Sequence, residues 1–424
     1  MSKITEKWKN IPLTVKVSAS YAVCSILQRC LSFITLPLFT RLLTTEQYGQ
    51  YTIYQSWMGI MSIFLTLNLA YGSFATAMVK FRDERDAYIA SIEGICLTLS
   101  LVFLAVYLPF NSFWNQLFQM PAFLVVFMIA ETISTNAMLF WSGKKRFEFK
   151  YKCVIALTLA QSFFSPLLAF IFVQMSEQKG YARIIGYSLV TIISGGVLFF
   201  LNLARGKKLY INKYWKYALK FNIPLVAYYL SQSIFNQSDR IMISHYCGES
   251  DAAMYGVAYN LAMVLAFILN AINNSYVPWF YGKIKDGKSK DNQKVSSSIA
   301  IIMALMLLCI IWYAPEIIRI MAGKKYLPAV LVVAPVAMSL LLLFYAQLFI
   351  NVEFFYEEKK MLVWASIGAA VLNIILNVLL IPRLSFIAAG YTTLASYIVF
   401  VICNYFAMKK TLYKHKKIDD AYQV

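Results

Sequence analysis

Apolar segments of about 20 residues follow one another along almost the whole chain, and they restrict what it can fold into. A helix needs about 20 residues to cross the roughly 30 Å hydrocarbon core of a bilayer. The pattern therefore predicts an all-α integral membrane protein with about 12 transmembrane helices. The predicted segments are Val17–Thr40, Tyr51–Val79, Ala87–Phe110, Pro121–Trp141, Tyr151–Gln174, Tyr181–Leu203, Phe221–His245, Ala253–Tyr281, Val295–Met321, Pro328–Tyr356, Met361–Pro382 and Phe386–Met408.

Positive charge alternates from loop to loop. Most of the 39 lysines and arginines lie at residues 3–16, 80–85, 144–152, 205–220, 283–294, 359–360 and 409–417. The intervening loops carry only Arg41, Lys179, Arg183, Lys324, Lys325 and Arg383. Short basic loops stay in the cytoplasm, so both termini are predicted to be cytoplasmic. The net charge of +19 then serves orientation and contact with anionic membrane lipids, and nucleic acid is not an expected partner.

Residue types that would support catalysis are sparse. The 7 cysteines form no C-x-x-C pair, only 2 histidines are present, and the sequence has no G-x-x-x-x-G-K-[ST] phosphate loop. The predicted loops are too short to form a soluble catalytic domain. We therefore expect a carrier rather than an enzyme, with no metal and no cofactor.

A short motif occurs twice. Tyr48-Gly49-Gln50-Tyr51 opens the second predicted segment, and Tyr255-Gly256-Val257-Ala258-Tyr259 opens the eighth. An offset of six segments means that the two halves enter the membrane in the same direction, as in a parallel repeat. The prediction is two six-helix lobes around a central cavity, residues 1–204 and 205–424.

Polar residues inside the hydrocarbon are costly and usually face a cavity or a partner. Arg29 lies about 18 Å along its helix from the cytoplasmic face, too deep to reach water easily. The candidate substrate-binding residues are Gln28, Arg29, Gln232, Asn236, Asp239, Arg240, Asn270, Asn273 and Asn274. The carboxylates Glu93, Glu131 and Asp239 are candidates for ion coupling or for structural pairing with Arg29.

Several of these residues also have a structural interpretation. Asn373 and Asn377 are expected to hold helices together. Arg240 either takes part in function or extends to the interface, and Asp239 either acts in transport or neutralises a neighbouring arginine. Glu353 is expected at the interface.

Short stretches of both halves resemble one known family. They are Leu36-Pro37-Leu38-Phe39-Thr40-Arg41-Leu42-Leu43, Tyr48-Gly49-Gln50-Tyr51, Ser238-Asp239-Arg240-Ile241-Met242-Ile243 with the second tyrosine motif, Gly323–Tyr326 with Pro328-Ala329, and Asn373, Asn377 and Leu380-Ile381-Pro382. Their order and spacing resemble the Wzx-type polysaccharide exporters of the multidrug/oligosaccharidyl-lipid/polysaccharide (MOP) superfamily. One departure is that Arg383-Leu384-Ser385 stands where the family usually has an early glycine.

The resemblance implies a flippase of the bacterial cytoplasmic (inner) membrane. Its substrate would be an undecaprenyl-pyrophosphate-linked oligosaccharide such as an O-antigen unit, moved by alternating access with H⁺ or Na⁺ coupling. Other polysaccharide assembly proteins would be its partners. Arginine suits the pyrophosphate, and Asn, Gln, Ser and Tyr suit sugar hydroxyls. Two alternatives stay open: a multidrug or other lipid-linked-precursor exporter of the same superfamily, and, less favoured because the external loops are short, a membrane polysaccharide polymerase.

Overall fold

The computed structural model describes residues 13–285, 289–356, 358 and 360–421. Every regular element in these ranges is helical. The α-helices are α1 Leu13–Leu42, α2 Thr45–Thr66, α3 Phe74–Lys80, α4 Arg85–Tyr107, α5 Asn111–Phe118, α6 Ala122–Phe147, α7 Tyr151–Met175, α8 Lys179–Gly206, α9 Asn212–Cys247, α10 Glu249–Lys285, α11 Ser289–Met321, α12 Val330–Phe355 and α13 Lys360–Ala421. Two short 3₁₀ helices, Arg82–Glu84 and Lys324–Ala329, precede α4 and α12.

The chain divides into two compact units, residues 1–229 and 230–424, and the division falls within α9. In the first unit α8 is the central helix, since it packs against α4, α6 and α7. In the second unit α12 packs against α10, α11 and α13. The lobe boundary that we predict at residues 204 and 205 remains a prediction.

Nine helical stretches in the described part of the chain are long and apolar enough to cross a membrane. The last of them, Met361–His415, covers two predicted segments. Its backbone leaves the helical conformation at Ser385, where φ is 56°, between those segments. The Ser385 hydroxyl contacts the carboxylate of Asp251 at the start of α10. The count of 12 transmembrane helices remains a prediction.

One predicted segment is wrong in its continuity. The apolar run of residues 51–79 is interrupted between α2 and α3, and Leu67 and Asn68 adopt positive φ. The side chain of Asn222 from α9 binds Ser73, where the helix resumes as α3. Its Oδ1 accepts from the backbone N–H of Ser73 at 3.4 Å, and its Nδ2 donates to the Ser73 hydroxyl at 2.7 Å. A Cβ on Gly72 would lie 1.8 Å from Asn222 Oδ1. Hydropathy alone does not reveal this break, because Leu67, Leu69 and Ala70 keep the interruption apolar on average.

Charged residues secure the ends of α4 and α6. Lys144 Nζ lies 2.5 Å from Asp86 Oδ1 and 3.4 Å from Glu148 Oε1. Burial acts to raise the pKa of Glu148, but the nearby Lys150, Lys144 and Lys145 outweigh it and hold this pKa below its ordinary value. The basic loop at 144–152 therefore has a structural role in addition to any role in orientation.

Candidate functional site

A polar cavity of about 440 Å³ lies in the first unit, between α1, α7 and α8. Its lining combines hydroxyls, amides and one guanidinium, and no carboxylate occurs among the described residues that form it. The lining residues are Ser25, Gln28, Arg29, Ser32, Thr35, Gln161, Ser162, Ser165, Pro166, Tyr187 and Thr191. Such a surface offers many hydrogen-bond donors and one fixed positive charge, which suits an anionic, hydroxyl-rich ligand.

The spacing of polar residues along α1 produces one wall of this cavity. Ser25, Gln28, Arg29 and Ser32 recur at three- and four-residue intervals, which places them on one helical face. Gln28 Nε2 donates to Ser162 Oγ on α7 at 3.3 Å. The predicted site residues Gln28 and Arg29 thus line the same cavity, and Arg29 is exposed rather than buried in the protein.

The two carboxylates of the first unit lie elsewhere. Glu93 Oε1 accepts from Asn202 Nδ2 at 2.7 Å. Glu131 Oε2 accepts from Tyr54 Oη at 2.7 Å and from Ser188 Oγ at 2.6 Å. Both are buried, and neither forms an ion pair with Arg29 in the part of the chain that the structure describes. The ion pair of Arg29 with Glu93 or Glu131, one of the two roles that the sequence suggests for these carboxylates, is therefore absent from the described residues.

Asp239 is the centre of a buried polar network in the second unit. It is 3% exposed and accepts hydrogen bonds from Tyr255 at 2.6 Å, Thr393 at 2.6 Å and Asn377 at 2.7 Å. Asn377 also donates to Asn373 Oδ1 at 3.1 Å. The network links α9, α10 and α13, so the expectation that the two asparagines hold helices together fits these contacts.

Arg240 has a different set of neighbours. Its Nη1 donates to Gln237 Oε1 at 2.7 Å and to the Asn236 carbonyl at 3.4 Å. Its guanidinium carbon lies 4.2 Å from the centre of the Tyr259 ring. Asp239 and Arg240 form no ion pair among the described residues. The structure therefore does not show direct charge neutralisation between these two side chains.

The other predicted polar residues of the second unit are dispersed. Gln232 Nε2 donates to Ser366 Oγ at 3.1 Å, Asn236 bonds the Gln232 carbonyl of its own helix, and Asn273 accepts from Asn351 at 3.0 Å. The side chains of Asn270 and Asn274 lie outside the described residues.

Glu353 lies near the end of α12, as the sequence predicts, and it is buried in the protein at 1% exposure. Its position at the membrane interface remains a prediction. Neither of its carboxylate oxygens has a hydrogen-bond partner among the described residues. Elsewhere, the described side chains include no group of three or more His, Cys, Asp or Glu that could hold a metal ion.

The sequence profile of a family described as polysaccharide biosynthesis protein matches residues 14–282, more than half of the chain. The chain belongs to this polysaccharide biosynthesis protein family. This match confirms the predicted relationship to proteins of polysaccharide biosynthesis.

Curated relatives of this family member include two proteins of Haemophilus influenzae. An uncharacterized membrane protein is 22% identical over 359 residues, covering 83% of this chain and 87% of the relative. The Lsg locus putative protein 1 is 23% identical over 381 residues, covering 85% and 89%.

Solved structures confirm the predicted class of fold as an all-α membrane protein. A multidrug resistance transporter of the MATE family of the MOP superfamily, in an inward-facing conformation, aligns with a TM-score of 0.69 at 14% identity, covering 92% of this chain and 96% of that one. The lipid II flippase MurJ, in an inward closed conformation, aligns with a TM-score of 0.67 at 17% identity, covering 91% and 87%. The chain is a multi-pass membrane protein with the fold of these two transporters, and this family and fold agree with the prediction of a carrier rather than an enzyme.

Sequence reasoning missed half of the cavity of this family member. Gln161, Ser162 and Ser165 on α7 and Tyr187 and Thr191 on α8 complete the lining. Their signal was present, because Gln161-Ser162 interrupts an apolar helix. Without the packing of α7 on α1, however, nothing in the sequence says that these residues face Arg29.

Proposed function

We propose that this chain is a flippase for undecaprenyl-pyrophosphate-linked oligosaccharide units, O-antigen or similar, in the bacterial cytoplasmic membrane, with both termini cytoplasmic. The observation that carries the proposal is the cavity of the first unit, in which Arg29 is surrounded by hydroxyl and amide side chains. A guanidinium binds phosphate oxygens through several charge-assisted hydrogen bonds. The neutral groups suit the sugars beside it.

The composition of the cavity also separates this proposal from multidrug export. A carrier of cationic drugs needs anionic groups where its substrate binds, because burying an unpaired cation is costly. The described lining has a cation and no anion. A lipid-linked precursor with a negatively charged headgroup therefore fits it better, while another lipid-linked precursor remains the main alternative.

Transport by alternating access needs an energy source, and H⁺ or Na⁺ coupling is part of the proposal. The candidates are Asp239, Glu131 and Glu93, which are buried carboxylates bonded to neutral donors. A carboxylate without a cationic partner can take a proton or a cation at moderate cost. Export measured under a pH gradient and under a sodium gradient distinguishes the two couplings.

The function is tested by deleting the gene and analysing the sugars of the lipid-linked intermediates that accumulate. We expect a pyrophosphate-linked saccharide, and we expect restoration of export by the wild-type chain but not by Arg29→Gln. Cys30→Ala is the matched control, because Cys30 is the exposed neighbour of Arg29 and does not line the cavity. Normal surface polysaccharide in the deletion strain would overturn the proposal.

A further inference from the structure

Arg183 is buried inside a group of aromatic rings in the first unit. From the sequence, Arg183 is one of the few basic residues of the sparsely charged loops. The structure places it in the second turn of α8, where it is 5% exposed. Its guanidinium carbon lies 3.8 Å from the ring centre of Tyr51, 4.5 Å from Phe39, 4.6 Å from Tyr48 and 5.9 Å from Tyr187. We call these four rings the aromatic cage.

Local sequence explains how the cage forms. A capping box of Thr44 and Gln47 begins α2 and thereby places Tyr48 and Tyr51 in its first two turns. Gly180 allows α8 to approach this motif, because a Cβ there would lie 2.1 Å from Gln50 Oε1 and 2.9 Å from the Gln47 carbonyl oxygen. The first copy of the repeated tyrosine motif thus encloses an arginine.

Two nitrogens of the caged guanidinium, Nε and Nη1 of Arg183, are buried without a hydrogen-bond partner among the described residues. The ion pairs of that part of the chain also leave Arg183 without a carboxylate. The rings attract the cation, but they do not accept these N–H groups as an oxygen would. An apolar side chain of similar length would fill the same space without this penalty, so packing alone does not account for an arginine.

The cage adjoins the polar cavity. Tyr187 lines that cavity, and its ring centre also lies 5.7 Å from that of Tyr51 and 5.7 Å from that of Phe39. On α1, Thr35 of the cavity and Phe39 of the cage are one turn apart. The cavity and the cage therefore meet at the Tyr187 ring.

Arg29 and the cage are too far apart to share one phosphate group. Ten residues of α1 separate Arg29 from Phe39, which corresponds to about 15 Å. A pyrophosphate held at Arg29 would leave the attached sugars to extend along α1 towards the cage. Guanidinium N–H groups donate to hydroxyl and carboxylate oxygens, and aromatic faces pack against sugar rings.

We propose that Arg183 and the aromatic cage form a saccharide subsite, which takes the distal sugars of the lipid-linked substrate when Tyr187 turns aside. This inference rests on the proposed flippase function. It divides recognition between two arginines: Arg29 holds the pyrophosphate, and Arg183 holds hydroxyl or carboxylate groups of the sugars.

Binding measurements on the purified full-length chain in lipid nanodiscs test this division. The two probes are undecaprenyl pyrophosphate and the lipid-linked saccharide extracted from the deletion strain. We expect the wild type to bind the saccharide-bearing lipid at least about tenfold more tightly, as one or more charge-assisted hydrogen bonds would give. Arg183→Met should remove this preference, and Arg29→Gln should weaken the binding of both probes.

Arg205→Met is the matched control, since Arg205 is an exposed arginine on the same helix and should retain the preference. The thermal midpoint of Arg183→Met should stay close to that of the wild type, because the removal of two unsatisfied N–H groups offsets the loss of the cation–π contacts. A retained preference in Arg183→Met would overturn the subsite alone. If Arg183→Met instead has a lower thermal midpoint and loses affinity for both probes by the same factor, the role of Arg183 is structural. If the wild type binds neither probe, the proposed function itself fails.

Discussion

The side-chain amide of Asn377 donates a hydrogen bond to Oδ1 of Asp239 across 2.7 Å, although 138 positions separate the two residues. Asp239 lies on α9 and Asn377 on α13. Because Tyr255 and Thr393 donate to the other oxygen of the same carboxylate, all of its hydrogen-bond donors in the described part of the chain are neutral groups. Each donor therefore matters for the stability of the second unit.

Loss of the Asn377 amide should destabilise the protein. Asn377→Ala leaves a buried carboxylate oxygen short of a donor, for which we expect a loss of about 1–3 kcal/mol in the free energy of unfolding. Thermal unfolding of the purified protein in detergent measures it. Asn236→Ala is the control with a smaller expected effect, because Asn236 is only half-buried and bonds a carbonyl of its own helix. Equal midpoints for the two variants would contradict the importance of the network.

The Tyr259 ring should matter for Arg240 more than its hydroxyl does. A cation over an aromatic face is worth about 0.5–2 kcal/mol, so Tyr259→Leu should lower both stability and export. Tyr259→Phe keeps the ring and loses only the hydrogen bond of the hydroxyl with Arg240, so it should lower both by less. Arg240→Ala should impair export while the protein still inserts. Membrane abundance and surface polysaccharide of the three variants give the comparison. Loss of export in Tyr259→Phe equal to that in Tyr259→Leu would assign the effect to the hydroxyl.

Close approach of α8 to α6 depends on one of two adjacent glycines. A Cβ on Gly195 would lie 2.3 Å from the Ser134 carbonyl oxygen, whereas Gly196 has nothing within 4 Å. We expect Gly195→Ala to destabilise the protein by about 1–3 kcal/mol through overpacking and Gly196→Ala to be neutral or slightly stabilising. Thermal unfolding of this matched pair tests the packing, and a reversed order would show that α8 faces another way.

The sequence predicts the class of fold well because apolar length is a local property. A run such as Tyr151–Gln174 corresponds to α7, Tyr151–Met175, with almost the same limits. The break after Thr66 is harder to predict, because Asn222, which bonds Ser73 where the helix resumes, is distant in sequence. Long-range contacts of this kind have no periodic signal.

The candidate site was predictable in part for the same reason. Arg29 and Gln28 stand out as polar residues in an apolar segment, and both line the cavity. Partners were harder to predict, because Glu131 could equally have paired with an arginine but bonds Tyr54 and Ser188. Arg183 escaped notice because it lies near a helix end, where an arginine normally reaches water.

Topology is open to a direct test. Single cysteines introduced into a chain without its native cysteines should be labelled from the cytoplasm at Lys144–Lys150 and Lys283–Lys294, and from outside at Gly248–Ser250. The physical reason is the cytoplasmic retention of short basic loops. Membrane-impermeant maleimide on intact and on opened cells provides the measurement. Finding the two basic loops on opposite sides would refute the 12-span topology and the parallel repeat.

Arg29 should be required for transport rather than for folding. It is exposed to the polar cavity, so Arg29→Gln should abolish export while the amount of protein in the membrane stays unchanged. Arg29→Lys should retain partial export, because lysine keeps the charge but loses the planar arrangement of donors that binds phosphate. Membrane abundance and surface polysaccharide are the two readouts.

A double variant separates this role from a structural one. If Arg29 were the ion-pair partner of Glu131, Arg29→Gln would leave an uncompensated buried carboxylate, and adding Glu131→Gln would restore both protein level and export. We expect no such rescue, because Glu131 is bonded to Tyr54 and Ser188, and its removal should add a second defect instead. Rescued export in the double variant would end the phosphate-binding role of Arg29, since a group that contacts the substrate cannot be replaced by removing a carboxylate elsewhere in the same unit.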